Sequence, residues 1–142
     1  MTNPASFKID SPTPHQAAQD SQGYFDMLFP ALERGGQIYT PMEFKDDVES
    51  GDILLIRVWD EEQVKAVLMC RVQQTFRGQE LYALACAGEG LTGWLQAMSE
   101  TLAQVAKEAK CVAVVLDGRR GWQKLLKDEG YSVFQVRMRK EL

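Results

Sequence analysis

Apolar residues recur with two different periods along this 142-residue chain, and the order in which the periods change predicts an architecture. Residues 1–13 form a polar arm in which Phe7-Lys8-Ile9 reads as a short strand. Thr13-Pro14-His15-Gln16 has the residue types of a helix start: threonine as cap, proline at the first helical position, glutamine three after the cap. Tyr24, Phe25, Met27, Leu28 and Leu32 then share one helical face, with Pro30 expected to kink or interrupt it and Gly35-Gly36 to end it. Thr40-Pro41-Met42-Glu43 repeats the same start for a shorter helix closed by Gly51.

From residue 52 the period falls to two. Residues 52–59 and 63–75 predict strands joined at Asp60-Glu61-Glu62. In the second, Val64, Ala66, Leu68, Cys70 and Val72 alternate with Lys65, Val67, Met69, Arg71 and Gln73. Arg77-Gly78 turns the chain into a third strand, residues 81–86, and connections this short make the three an antiparallel meander. After a glycine-rich junction, Leu91, Trp94, Leu95, Met98, Leu102, Val105, Ala106 and Ala109 return to helical spacing. Residues 111–116 are a continuous apolar run, as in a strand buried on both faces. A helix between two such strands predicts parallel neighbours joined by a right-handed crossover. Asp117-Gly118 breaks the run; residues 119–129 predict a helix with Trp122, Leu125 and Leu126 inward, Gly130 its C-cap, and residues 131–138 a final strand. Trp94, Trp122 and Phe134 read as core anchors. The expected class is α/β: one domain, 14–142, behind the arm 1–13, with a mixed central sheet flanked by about four helices.

Composition adds exclusions. Hydrophobic residues at 45% and charged residues at 25% are ordinary for a globular protein. No apolar run reaches the roughly 18 residues a membrane span needs, and the N-terminus lacks an apolar signal core, so a cytoplasmic protein is expected. Cys70, Cys86 and Cys111 fall in apolar runs and read as buried, reduced thiols. None has metal-ligand spacing, and His15 is the only histidine, so no metal is expected. The net charge of −4 is unevenly spread: residues 1–106 carry 7 basic and 15 acidic side chains, residues 107–142 carry 9 and 5. The basic third suits an anionic ligand or an acidic partner surface, or is simply a solvated face. Nucleic acid receives no support from an acidic chain without an aromatic-basic stripe.

The junction Ala87-Gly88-Glu89-Gly90-Leu91-Thr92-Gly93 is the chief candidate site. A helix begins there, and its unpaired amides and partial positive charge suit a phosphate or pyrophosphate. Equally, the glycines only make a tight strand-to-helix turn. Arg119 and Arg120, before the last helix, either hold a phosphate or face solvent. Cys86 ends a strand beside a helix start, where a thiol is acidified, but no histidine is in reach and a small buried thiol is the other reading.

With these elements in place, the chain resembles the GNAT (N-acetyltransferase) superfamily over residues 7–140. Gly88-Glu89-Gly90 stands where that family has its pyrophosphate loop, Arg/Gln-x-x-Gly-x-Gly/Ala, and Leu125-Leu126-Lys127-Asp128-Glu129-Gly130-Tyr131 stands where it often has Phe-Tyr-Glu-Lys-Leu-Gly-Phe. The ending, from Arg119-Arg120-Gly121-Trp122 to Arg139-Lys140-Glu141-Leu142, also looks like small GNAT-like proteins of tailed bacteriophages, several of them virion or head-assembly components. The resemblance implies acetyl-CoA as cofactor and an amine as acceptor. Two positions depart from it: Ala85 replaces the loop's Arg or Gln, and Leu126 replaces a tyrosine that acts as acid in many members. Glu80 and Glu89 are the carboxylates nearest the expected centre and the candidate bases; Tyr131 reads as a core or edge aromatic. The resemblance thus implies either a degenerate acetyl-CoA site on a phage virion, assembly or accessory binding protein, whose partners are other subunits, or an active N-acetyltransferase using direct transfer.

Overall fold

A computed structural model describes residues 7–88, 91–117 and 120–142. Both Thr-Pro helix starts form as the sequence predicts. In α1 (Pro14–Gln19) the Thr13 hydroxyl accepts from the Gln16 amide at 3.2 Å while the Gln16 side chain accepts from the Thr13 amide at 3.1 Å. In α3 (Pro41–Ser50) Thr40 and Glu43 make the same reciprocal pair, and Gly51 closes the helix in the left-handed region at φ 86°. The sequence predicts one helix after Thr13, whereas the chain breaks at Asp20 (φ −104°, ψ 15°) and restarts as α2 (Ser21–Arg34). The break lets α1 bury Ala17 and Ala18 while α2 turns Tyr24, Phe25, Leu28 and Leu32 inward. Pro30 does not interrupt α2; it lies on the exposed side with Asp26, so the carbonyl its missing N–H leaves free faces water.

The sheet has the order β1-β2-β3-β4-β5. β1 (Phe7–Asp10) from the N-terminal arm, β2 (Leu54–Asp60), β3 (Gln63–Thr75) and β4 (Gly78–Gly88) pair antiparallel. After α4 (Leu91–Glu108) the chain returns as β5 (Ala113–Leu116), parallel to β4, and α5 (Arg120–Lys127) follows. The mixed sheet of the expected class is therefore present, with five helices among the described residues. Two bulges mark it: Val58 faces Ala66 and Trp59 faces Val64, leaving Lys65 unpaired, and Met69 faces Ala85 while Cys70 faces Ala83, leaving Leu84 unpaired.

The two sheet faces carry separate cores. On one, Leu55, Val67, Met69 and Ala85 pack under α1, α2 and α3; on the other, Ile56, Val58, Ala66, Leu68, Leu81 and Ala83 pack under Trp94, Met98, Leu102 and Ala106 of α4. Burial of these aliphatic side chains, each contributing about 1.5–3 kcal/mol, holds the layers together.

The C-terminal third differs from expectation. Residues 131–138 alternate like a strand but join no sheet, and Val133, Phe134, Val136 and Met138 are exposed. Period-two patterning encodes extended backbone, not a partner; beside the segment lie exposed ion pairs of Arg137 with Asp117 at 3.5 Å and Arg139 with Glu141 at 2.6 Å. For the same reason β5 is a four-residue edge strand rather than a strand buried on both faces, and Cys111 lies before it. Phe134 is no core anchor; it lies under the Arg77 guanidinium, 5.3 Å from ring centroid to Cζ. Of the last helix's inward trio, Leu126 is buried, Trp122 half-buried and Leu125 exposed.

Candidate functional site

β4 outruns β5. Their ladder ends at the Ala83–Leu116 pair, and β4 continues for five more residues with β3 on only one side. On the other side the backbone polar groups of Leu84 to Gly88 have no strand partner among the described residues, and donors of this kind must be satisfied by water or a ligand. The Leu84 bulge begins where the two strands part. A cavity of about 400 Å³ opens there. Its β4 wall is Ala83, Leu84, Ala85 and Cys86; its α4 wall is Trp94, Met98, Ser99 and Leu102; Leu126 and Tyr131 close it from α5 and the turn beyond.

Tyr131 reaches the cavity through the way α5 ends. Gly130 takes a left-handed φ of 86°, the Gly130 amide donates to the Lys127 carbonyl at 3.2 Å, and the Tyr131 amide donates to the Leu126 carbonyl at 3.2 Å. These are the paired bonds of a Schellman cap, which fold the residue after the glycine back over the last turn. The Tyr131 side chain lines the cavity together with Ser99, which is buried on α4. Burial raises the Tyr131 phenol above its ordinary value, and the neighbouring Ser99 opposes the shift without cancelling it.

At the mouth, the Tyr82 hydroxyl donates to the Asp117 carboxylate, which also pairs with Arg137. Burial, reinforced by Asp117, pushes Tyr82 up to about 12. Arg34, the last residue of α2, and Gln37 beyond it also line the cavity.

The residues singled out in the sequence are distributed unevenly. Gly88 ends β4 at φ 148°, and a Cβ on it would lie 2.4 Å from the Cβ of Ala66 and 2.5 Å from the Lys65 carbonyl oxygen. Its lack of a side chain is required by β3, whatever else approaches it. Gly93 packs against the Phe7 ring, 3.1 Å from an added Cβ. Ala87 and Gly88 line a second, open depression of about 410 Å³ with Met27, Val64 and Lys65. Leu91 and Thr92 open α4 and Arg120 opens α5; Glu89, Gly90 and Arg119 lie outside the described residues.

Glu80 is brought elsewhere. It sits near the start of β4, 2% exposed, with Arg77 Nε 3.0 Å from its carboxylate, and does not line the cavity. It is a buried ion-pair member. Cys86 lines the cavity, but burial pushes its thiol up to about 11, so the expected acidification by a helix start does not operate. Cys70 is pushed up to about 12, first by burial and then by Cys86. Sequence reasoning missed Ser99, Leu84 and the inward aim of Tyr131. Ser99 carried a legible signal, a polar residue within the apolar stripe of Trp94, Met98 and Leu102; the bulge at Leu84 carried none.

No protein-family model matches the sequence, and no curated protein matches it. Solved structures do. Glucosamine-6-phosphate N-acetyltransferase from Arabidopsis thaliana superposes with a TM-score of 0.66 over 95% of this chain and 97% of its own, at 18% identity. An aminoglycoside acetyltransferase from an uncultured soil metagenomic sample gives 0.71 over 96% and 99%, at 13% identity. A predicted acetyltransferase from Clostridium acetobutylicum, solved with acetyl-CoA, gives 0.69 over 95% and 96%, at 12% identity. At such identities the likeness is one of fold: the chain has the GNAT acetyltransferase fold.

Proposed function

We propose that the protein binds an acyl-CoA in the cavity where β4 and β5 part and transfers its acyl group to an amine. The observation that carries this is the run of β4 backbone without a strand partner along a cavity, apolar on its α4 wall, at the strand divergence. The group fits the residues present: an extended, amide-bearing chain takes hydrogen bonds from an open strand edge and packs its methylenes on an apolar wall. When bound, it supplies an acyl group already activated as a thioester. The chain's residues do the rest. The open edge of β4 holds and orients the donor, and alignment of reacting atoms accounts for much of the rate of a direct transfer. Trp94, Met98 and Leu102 keep water from the thioester. Asp117 is the one carboxylate among the described lining residues, and Tyr82 and Arg137 already occupy it, so the amine delivers its proton to water.

Thermal unfolding with acetyl-CoA tests the reading. Ligand at about 100 times its dissociation constant adds about 2.7 kcal/mol to stability, a clear rise in Tm, while ATP at equal concentration gives none. No rise with acetyl-CoA refutes it.

A second reading keeps the fold and drops the transfer: an accessory or assembly protein, like the GNAT-like proteins of tailed bacteriophages, with a degenerate site and protein partners. Leu126 in the cavity wall and the exposed apolar side chains of residues 133–138 favour it. It predicts no response to acetyl-CoA and a stable complex with another subunit on size exclusion.

A further inference from the structure

Among the described residues lining the cavity, the charged side chains are Arg34, Asp117 and Arg137. Asp117 is already engaged: it accepts from the Tyr82 hydroxyl and pairs with Arg137 at 3.5 Å. Arg34 has no ion-pair partner among the described residues. It is the exposed last residue of α2, and Gln37, half-buried just beyond the helix, lines the same cavity. A cation in the last turn suits the helix dipole, but that role leaves the guanidinium fork without an acid.

This distribution of charge selects among acceptors. A polyamine would meet two arginines and a carboxylate that is already occupied. An amine that also carries a carboxylate or phosphate would meet the Arg34 fork, whose parallel N–H groups match two oxygens of either anion. The same charge serves the chemistry. An amine attacks only as its free base, and nearby positive charge weakens the hold of an ammonium on its proton. The described lining has no free carboxylate to act as a base, so the charge of the site favours the neutral amine in its place.

We infer that the acceptor is an amine bearing a carboxylate or phosphate group, with Arg34 binding that anion and Gln37 beside it supplying an amide donor. The inference rests on the acyl-CoA reading and names the substrate class that reading leaves open. Arg34 acts on binding rather than on bond making, so its effect falls on KM. An exposed cation is screened by salt, so the preference it creates shrinks as ionic strength rises.

The test uses matched acceptors with wild type and Arg34→Gln: glycylglycine against glycylglycinamide, a phosphorylated amino sugar against the unphosphorylated sugar, and spermidine as the polycation. Release of free thiol from acetyl-CoA gives kcat and KM. Backbone amide shifts in protein saturated with CoA give acceptor binding without turnover, and calorimetry gives acetyl-CoA affinity. Wild type is expected to favour at least one anionic acceptor over its neutral match by about tenfold in kcat/KM, the scale of one hydrogen-bonded charge, and to bind it with saturable shifts at Gly35 and Gln37. The pair with the larger ratio tells carboxylate from phosphate. In Arg34→Gln the preference is expected to vanish through KM at an unchanged melting temperature. In wild type it is expected to shrink at about 1 M salt, where screening acts within about 3 Å. Equal kcat/KM for charged and neutral partners, a preference for spermidine, or a preference that survives Arg34→Gln overturns the inference and leaves the acyl-CoA reading standing. Wild type that binds acetyl-CoA but neither acetylates nor binds an anionic acceptor overturns it as well. Wild type that fails to bind acetyl-CoA overturns the reading beneath it.

Discussion

The Cβ of Ala66 occupies the space that a side chain on Gly88 would need, with 2.4 Å between the two carbons. The end of β4 is thus pressed against β3 at the point where the chain leaves the sheet for α4. Glycine at 88 answers first to strand packing, and any ligand benefits from a backbone already held close.

Gly88→Ala should therefore destabilise the protein with no ligand present. Overpacking of this kind costs about 1–3 kcal/mol, and the positive φ adds strain. Urea unfolding of the ligand-free variant should show a midpoint shift of that size. An unshifted midpoint would mean that β3 yields freely at Ala66.

Asp10 and Arg57 tie β1 to β2. Arg57 Nε and Nη2 donate to the two Asp10 oxygens at 2.8 and 2.7 Å, Trp59 Nε1 adds a third bond at 3.0 Å, and Arg57 also reaches the Tyr24 hydroxyl at 2.8 Å. Burial alone would raise the Asp10 carboxyl, but the bonds from Arg57 and Trp59 together outweigh it and hold it below the ordinary 3.8. A depressed carboxylate stabilises the fold above its unfolded value and loses that contribution as pH falls through the lower folded one. Asp10→Asn should cost about 2 kcal/mol at pH 7, the scale of hydrogen bonds to charged groups. The gap between variant and wild type should be constant above pH 5 and narrow only below 3.8, as followed by chemical unfolding at stepped pH.

Much of this was legible in the sequence, for reasons that are local. Thr13 with Gln16, Thr40 with Glu43, and the Trp94-Met98-Leu102 stripe each declare themselves within a few residues, because a cap or a helical face is made by neighbours in the chain. The parallel return of β5 followed from the helix before it. The Asp20 break, the bulges at Lys65 and Leu84, and the unpaired residues 131–138 depend on what lies across the sheet, which no short window records. The site follows the same division. The Gly130-Tyr131 ending was visible as a motif, yet its consequence, a phenol set beside Leu126, emerges only from the cap geometry.

Gly130→Ala tests that cap. An L-residue at φ 86° is strained by about 1–2 kcal/mol. The variant should lose about 1 kcal/mol in thermal unfolding. A stability equal to wild type would show that α5 ends without needing the left-handed turn.

Cys86 should be chemically quiet. With burial pushing its thiol up to about 11, the thiolate fraction at pH 8 is about two orders of magnitude below that of an exposed cysteine. Iodoacetamide labelling read by mass spectrometry should modify Cys86 slowly in the native protein and quickly in urea. Rapid native labelling would show an open, ionised site.

The claim that the cavity between β4 and β5 receives the acyl donor is tested most directly by titrating acetyl-CoA into isotope-labelled protein and following backbone amide resonances. The account predicts saturable shifts gathered at Leu84 to Gly88, at Trp94 to Ser99 and at Tyr131. Resonances that stay in place throughout the titration, or shifts collected on α3 instead, would contradict it.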